Sequence, residues 1–182
     1  MNQELERKIE DLRREIEELR RSPTMPDHFH NGNDSSRVSL QDINYKAYGQ
    51  MYINSNTTIT VAATDTWYEV TSNLLAGVIS GAKFNSHFIE IAQTGAYMIN
   101  INVALNTASA SQEVAATVMV NGTASETGHA HSTIVAANKS STTSSVTILN
   151  LTAGDEISLA VENHTAATNI VVEHAQISIL KL

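Results

Sequence analysis

Over residues 2–21 the apolar positions recur at intervals of four and three. Leu5, Ile9, Leu12, Ile16 and Leu19 form one narrow stripe, and almost every other position is Glu, Arg or Lys. This spacing predicts an α-helix over residues 1–21, with Ile at a and Leu at d of a heptad. A helix this short is marginal by itself in water, so the stripe predicts partner helices and hence a coiled-coil stalk. In parallel coils this choice of a and d favours two strands, but so few heptads specify the number weakly. The pattern then breaks. Pro23 and Pro26, the only prolines, end the helix, and Asn31-Gly32 and Asn33-Asp34 mark turns. Residues 22–48 are therefore expected to be an extended linker.

From residue 49 to 182 the period becomes two. TTITV, TWYEVT, HFIEI, YMININVAL, EVAATVMV, SSVTILNL, EISLAVE and NIVVEHAQISILKL are rich in β-branched residues. In YMININVAL, the residues Tyr97, Ile99, Ile101, Val103 and Leu105 share one face, while Met98, Asn100, Asn102 and Ala104 share the other. Val120-Asn121-Gly122-Thr123 reads as a two-residue hairpin and Thr152-Ala153-Gly154-Asp155 as a turn. Short strands separated by regular turns predict an antiparallel sandwich or jelly roll. Residues 72–86 are the least regular and are expected to form a long loop with one short strand. At the C-terminus Ile177 and Ile179 point one way and Leu180 and Leu182 the other. A strand apolar on both faces belongs in the middle of a sheet or of an oligomer.

Composition narrows the function. The formal net charge of −8 argues against nucleic acid or an anionic membrane as partner, because phosphate binding needs clustered Lys and Arg. The longest apolar runs are too short for a membrane span. There is no cysteine, so neither a disulfide nor a thiol nucleophile is available. Aromatics make up 5% of the chain, so the core must be built from Val, Ile, Leu and Ala. No nucleophile elbow, phosphate loop or His-Glu-x-x-His motif occurs. The adjacent acids Asp155 and Glu156 would face opposite sides of a strand and cannot form a glycosidase pair alone. The sequence therefore reads as non-enzymatic.

TGAYMININ, LTAGDEISL and HAQISILKL together resemble the jelly-roll heads of the tumour necrosis factor and complement globular-head superfamily. The shared features are Gly95 and Tyr97 opening a long inner strand, Gly154-Asp155 between two outer strands, and a final apolar strand. The resemblance covers residues 49–182 and implies a homotrimer on a short stalk. It further implies that the inner strands around Tyr97, Ile177 and Ile179 meet at the threefold axis, extending the interface made by Leu5, Ile9, Leu12, Ile16 and Leu19. HFHNGNDSSRVSLQDI is similar to the His-x-His-Asn-Gly linkers of bacteriophage fibre and minor structural proteins, although Ser36 stands where Pro is common. The order coil, linker, β head implies a trimeric phage fibre or spike.

Read alone, His28 and His30 are solvated linker residues beside a turn. In a trimeric fibre the resemblance implies that six such imidazoles converge on the axis around one divalent transition metal. His129 and His131 repeat the spacing and read as a polar loop or strand edge. The expected function is attachment to a host cell-surface saccharide or protein through loops 106–113, 121–133, 137–145 and 163–169, with the N-terminal end anchored on a virion capsid or tail. Trp67 and Tyr68 are expected in the core. The alternatives are a capsid or tail decoration without a receptor and a complement-like binding module.

Overall fold

The structure, a computed structural model, describes residues 2–21 and 46–182, with helix side chains described at 6–15 and 17. Two compact units divide the chain, Met1–Asn44 and Tyr45–Leu182. The first contains the helix α1, Asn2–Arg21. On it Ile9 and Leu12 are 44% and 57% exposed in the single chain. Arg14 and Asp11 make an exposed ion pair at 3.3 Å, a contact worth little by itself. The side chains of Leu5, Ile16 and Leu19, the His28–His30 pair and the linker up to residue 45 lie outside the described residues.

The head consists of strands β1 (Tyr48–Ile53), β2 (Thr57–Ile59), β3 (Tyr68–Glu69), β4 (Leu74–Ser80), β5 (Ala82–Asn85), β6 (Phe88–Ile91), β7 (Gly95–Thr107), β8 (Gln112–Val120), β9 (Thr123–Ala124), β10 (Ala130–Ile134), β11 (Ser141–Leu151), β12 (Glu156–Asn163) and β13 (Ile170–Lys181). They form two antiparallel sheets. The first has the order β11-β7-β13-β1-β4, with β2 beside β13. The second has the order β10-β8-β12-β6-β5, with β3 beside β12 and β9 beside β8. Successive long strands cross from one sheet to the other, which is the jelly-roll sandwich the alternation predicts. Between the sheets lie Ile99, Ile101, Val103 and Leu105 of β7 and Ile177 and Ile179 of β13. Val114 and Val118 of β8 and Ile157, Leu159 and Val161 of β12 belong to the same buried cluster.

The final strand is central, with β7 on one side and β1 on the other, as its two apolar faces require. The Asn121-Gly122 hairpin has φ of 51° and 74°, the left-handed pair a two-residue turn between twisted strands needs. Residues 72–86 differ from expectation. They form β4 and β5, strands of different sheets joined at Gly81, whose φ is 63°. The strand period was hidden because β4 carries Leu75 and Val78 at exposed positions. Residues 130–133 and 141–143, expected to be loop, are strand.

The sheets define two ends. The chain enters at Tyr48 and β13 finishes beside it at Leu180. The opposite, far end carries the connections 108–111, 135–140 and 164–169.

Candidate functional site

The axial placement of Tyr97, Ile177 and Ile179 requires correction. These side chains are 0%, 1% and 2% exposed in the single chain, because they sit on the inward face of their strands. They fill one protomer's core and have no surface left for a neighbour. Tyr97 donates from its hydroxyl to the carbonyl oxygen of Gln93 at 2.7 Å, and burial raises its phenol above the usual range.

The alternate positions on the same strands face outward. Ile148, Met98, Leu180 and Tyr48 lie side by side across β11, β7, β13 and β1. The next outward row is Val146, Asn100, Ser178 and Gln50, and the third is Ser144, Asn102, Gln176 and Tyr52. None of these positions has a charged side chain, in a protein where 16% of residues are Asp, Glu, Lys or Arg. The row at the chain-entry end is apolar, and Val146 and Ile148 are 58% and 61% exposed. Toward the far end the surface dips into a depression of about 420 Å³ lined by Gln50, Tyr52, Asn102, His174 and Gln176. Charge returns at the far corner, where Glu173 accepts hydrogen bonds from Ser140 Oγ and, at 2.9 Å, from Asn106 Nδ2. The bonds from Ser140 and Asn106 hold the Glu173 carboxyl below its ordinary range.

A second constellation lies on the other sheet, near the far end. Register pairs His131 with Ala115 and Ala115 with Glu162, and Tyr68 with Val161, which brings Trp67 beside Glu162. The His164 ring connects the group. Its Nδ1 is 2.7 Å from Asp65 Oδ1 and its Nε2 is 3.0 Å from Glu162 Oε1. The second contact is close enough for an ion pair but off-line for a hydrogen bond, so Nε2 is buried without a hydrogen-bonded partner. His164 stacks on His131 at 5.0 Å, and His131 Nδ1 lies 3.6 Å from Glu113 Oε1. Trp67 and His129 pack ring on ring at 5.0 Å, and His129 Nε2 meets the carbonyl of Ser125. The Glu162 side chain is 7% exposed. Burial raises its carboxyl above the ordinary range, partly opposed by the neighbouring histidines.

Trp67 is therefore a half-buried side chain of this cluster and not one of the fully buried core. His131 stands on β10, the edge strand of its sheet. His164, Glu162, Asp65 and Glu113 were not legible as a group, because they come from three segments far apart in the chain: the loop before β3, the start of β8 and the end of β12. Among the described residues no set of three or more His, Asp or Glu is arranged to hold a metal ion.

No protein-family model matches the sequence, and no curated protein matches it. Solved structures do match in fold. Eiger TNF from S. frugiperda shares 13% identity at a TM-score of 0.52, over 75% of this chain and 91% of that one. Murine APRIL shares 12% identity at a TM-score of 0.50, over 75% of this chain and 99% of that one. At these identities the likeness is one of fold, and the head of this protein is a jelly roll of the tumour necrosis factor type.

Proposed function

We propose that the chain forms a non-enzymatic homotrimeric binding head on a short helical stalk. The observation that carries this reading is the uncharged outward face of the β11-β7-β13-β1 sheet. A surface exposed for solubility intersperses charge of both signs. A surface met by a second copy of an acidic protein is better left neutral, because like charges brought together cost several kcal/mol. The edge strand β11 fits the same role. Residues 141–151 are Ser, Thr, Val, Ile, Leu and Asn, with neither the charges nor the proline that usually guard a long exposed edge. A neutral edge against a neutral face is a head-to-tail contact between different surfaces, and such contacts form a ring when the rotation between copies closes. The exposed Ile9 and Leu12 of α1 offer a second seam for the same assembly.

The trimer serves as a fibre or spike in this reading. The order of helix, His-x-His-Asn-Gly linker and β head, together with its likeness to bacteriophage fibres, supports a place on a virion, anchored to capsid or tail through the N-terminal end. Trimerisation multiplies a weak contact with a host-surface saccharide or protein through effective concentration. The loops 108–111, 135–140 and 164–169 at the far end supply the contact surface.

Native mass spectrometry of the full chain, without a histidine tag, tests the assembly. Three chains are expected. Val146→Asp, which places charge on the outward face without touching the core, is expected to give folded monomers. A wild-type monomer or dimer, or a Val146→Asp trimer of wild-type stability, overturns the proposed interface. Loss of host-cell adsorption in that monomer, with adsorption intact in the trimer, is the outcome expected for attachment.

A further inference from the structure

The Asp65–His164–Glu162 chain presents a proton-counting problem. A neutral imidazole has one N–H and one lone pair. If Nδ1–H donates to Asp65, the Nε2 lone pair faces a carboxylate oxygen at 3.0 Å. That arrangement is repulsive unless a proton sits between them, on Nε2 or on Glu162. Glu162 is almost wholly withdrawn from water, so water cannot relieve the conflict.

The chain also ties a particular segment. Residues 62–67 form a loop closed on itself by the Tyr68 hydroxyl, which accepts from the Ala62 and Ala63 amides at 2.9 and 2.8 Å. Its tie to the sheet runs through Asp65, whose amide donates to the Asn163 carbonyl at 3.2 Å and whose carboxylate meets His164. Asp65 has φ of 52°, a left-handed conformation that persists when surrounding contacts hold it. The loop carries Trp67, the only tryptophan.

We infer that Asp65, His164 and Glu162 form a proton-operated latch, which holds the 62–67 loop and Trp67 against the sheet while one proton is shared between His164 and Glu162, and releases the loop when that proton leaves. The groups facing the latch fix its sign. Glu162 on β12 and Asp65 on the loop are both anionic once ionised, and Glu113 at the start of β8 adds a third carboxylate through His131. His131 on β10 and His129 before it supply the remaining imidazoles. Loss of the last proton leaves the Asp65 and Glu162 carboxylates on either side of a neutral His164 ring. The latch is therefore closed on the acid side and opens as pH rises. The upward displacement of the Glu162 carboxyl has the same sign. The proton belongs to the coupled pair and not to either residue alone.

Trp67 is a built-in probe, and the test is independent of oligomeric state. Acrylamide quenching of its fluorescence in the full chain, scanned from about pH 5 to about pH 9, is expected to rise in one step while far-UV circular dichroism stays constant. Glu162→Gln offers His164 Nε2 an amide N–H at every pH and is expected to abolish the step, leaving Trp67 protected. His129→Gln removes the imidazole beside Trp67 and is expected to keep the step. In the wild type, the protection of the Asp65 amide from hydrogen exchange, taken relative to the intrinsic rate at each pH, is expected to fall over the same range. A flat wild-type profile overturns the latch, as does a step unchanged in Glu162→Gln or lost in His129→Gln. Unchanged Asp65 protection across a quenching step overturns it as well.

Discussion

At the scale of single residues, two buried or bonded carboxylates respond to pH with opposite sign. Glu173 is held below its ordinary range by Ser140 and Asn106, so its ionised form favours the folded state. Its contribution is present above the unfolded carboxylate range and lost as pH falls through the folded value. Glu173→Gln is therefore expected to lower the thermal midpoint at neutral pH and to flatten the acid limb of a midpoint-against-pH plot. Glu162 is displaced upward by burial, so its protonated form favours the folded state and that advantage disappears as pH rises. Glu162→Gln is expected to raise the midpoint on the alkaline side, and thermal scans at matched pH check both variants. Ile179 shows why a residue's neighbours decide its part. It is 2% exposed among core side chains, so Ile179→Asp buries an unpaired charge and is expected to prevent folding. Ile179→Ala is expected to cost about 2–5 kcal/mol in denaturant unfolding while leaving the association of the folded protein unchanged.

At the scale of elements, the helix and the strands depend on context differently. The stripe of α1 was legible because period 3.5 with charged flanks has few other solutions. A peptide of residues 1–21 is nevertheless expected to be weakly helical, with helicity that rises with concentration in circular dichroism, because so short a helix draws its stability from packing. A tight, fully helical peptide trimer at low concentration contradicts this expectation and assigns assembly to the stalk. β7 and β13 were readable from alternation. β4 was not, because an edge strand with Leu75 and Val78 exposed loses the contrast between faces on which the period depends. β10 was hidden because its inward positions Ala130, Ser132 and Ile134 offer a single large apolar side chain, and it takes strand form by pairing with β8.

At the scale of the whole molecule, the assembly follows from faces and not from sequence runs. Alternation had already placed Met98, Asn100 and Asn102 together, on the face opposite Tyr97. Only the register across β11, β7, β13 and β1 shows that the uncharged positions of four strands form one continuous surface. If the seam histidines act in this assembly, native mass spectra of the trimer are expected to carry one divalent metal, lost in a His28→Ala, His30→Ala double variant. A trimer without added mass removes the metal and leaves the interface proposal standing.

The sequence by itself determined the order of N-terminal helix and β head, the antiparallel jelly-roll class, the strand faces of β7 and the central place of β13. Each of these rests on local periodicity or on turn chemistry written into adjacent residues. The tertiary structure alone decided which face of the inner strands is free, because burial depends on the opposing sheet. It also decided that Asp65, Glu113, His131, Glu162 and His164 meet. These residues are separated by up to 99 positions along the chain, and no local pattern encodes a contact made only when strands from distant segments align.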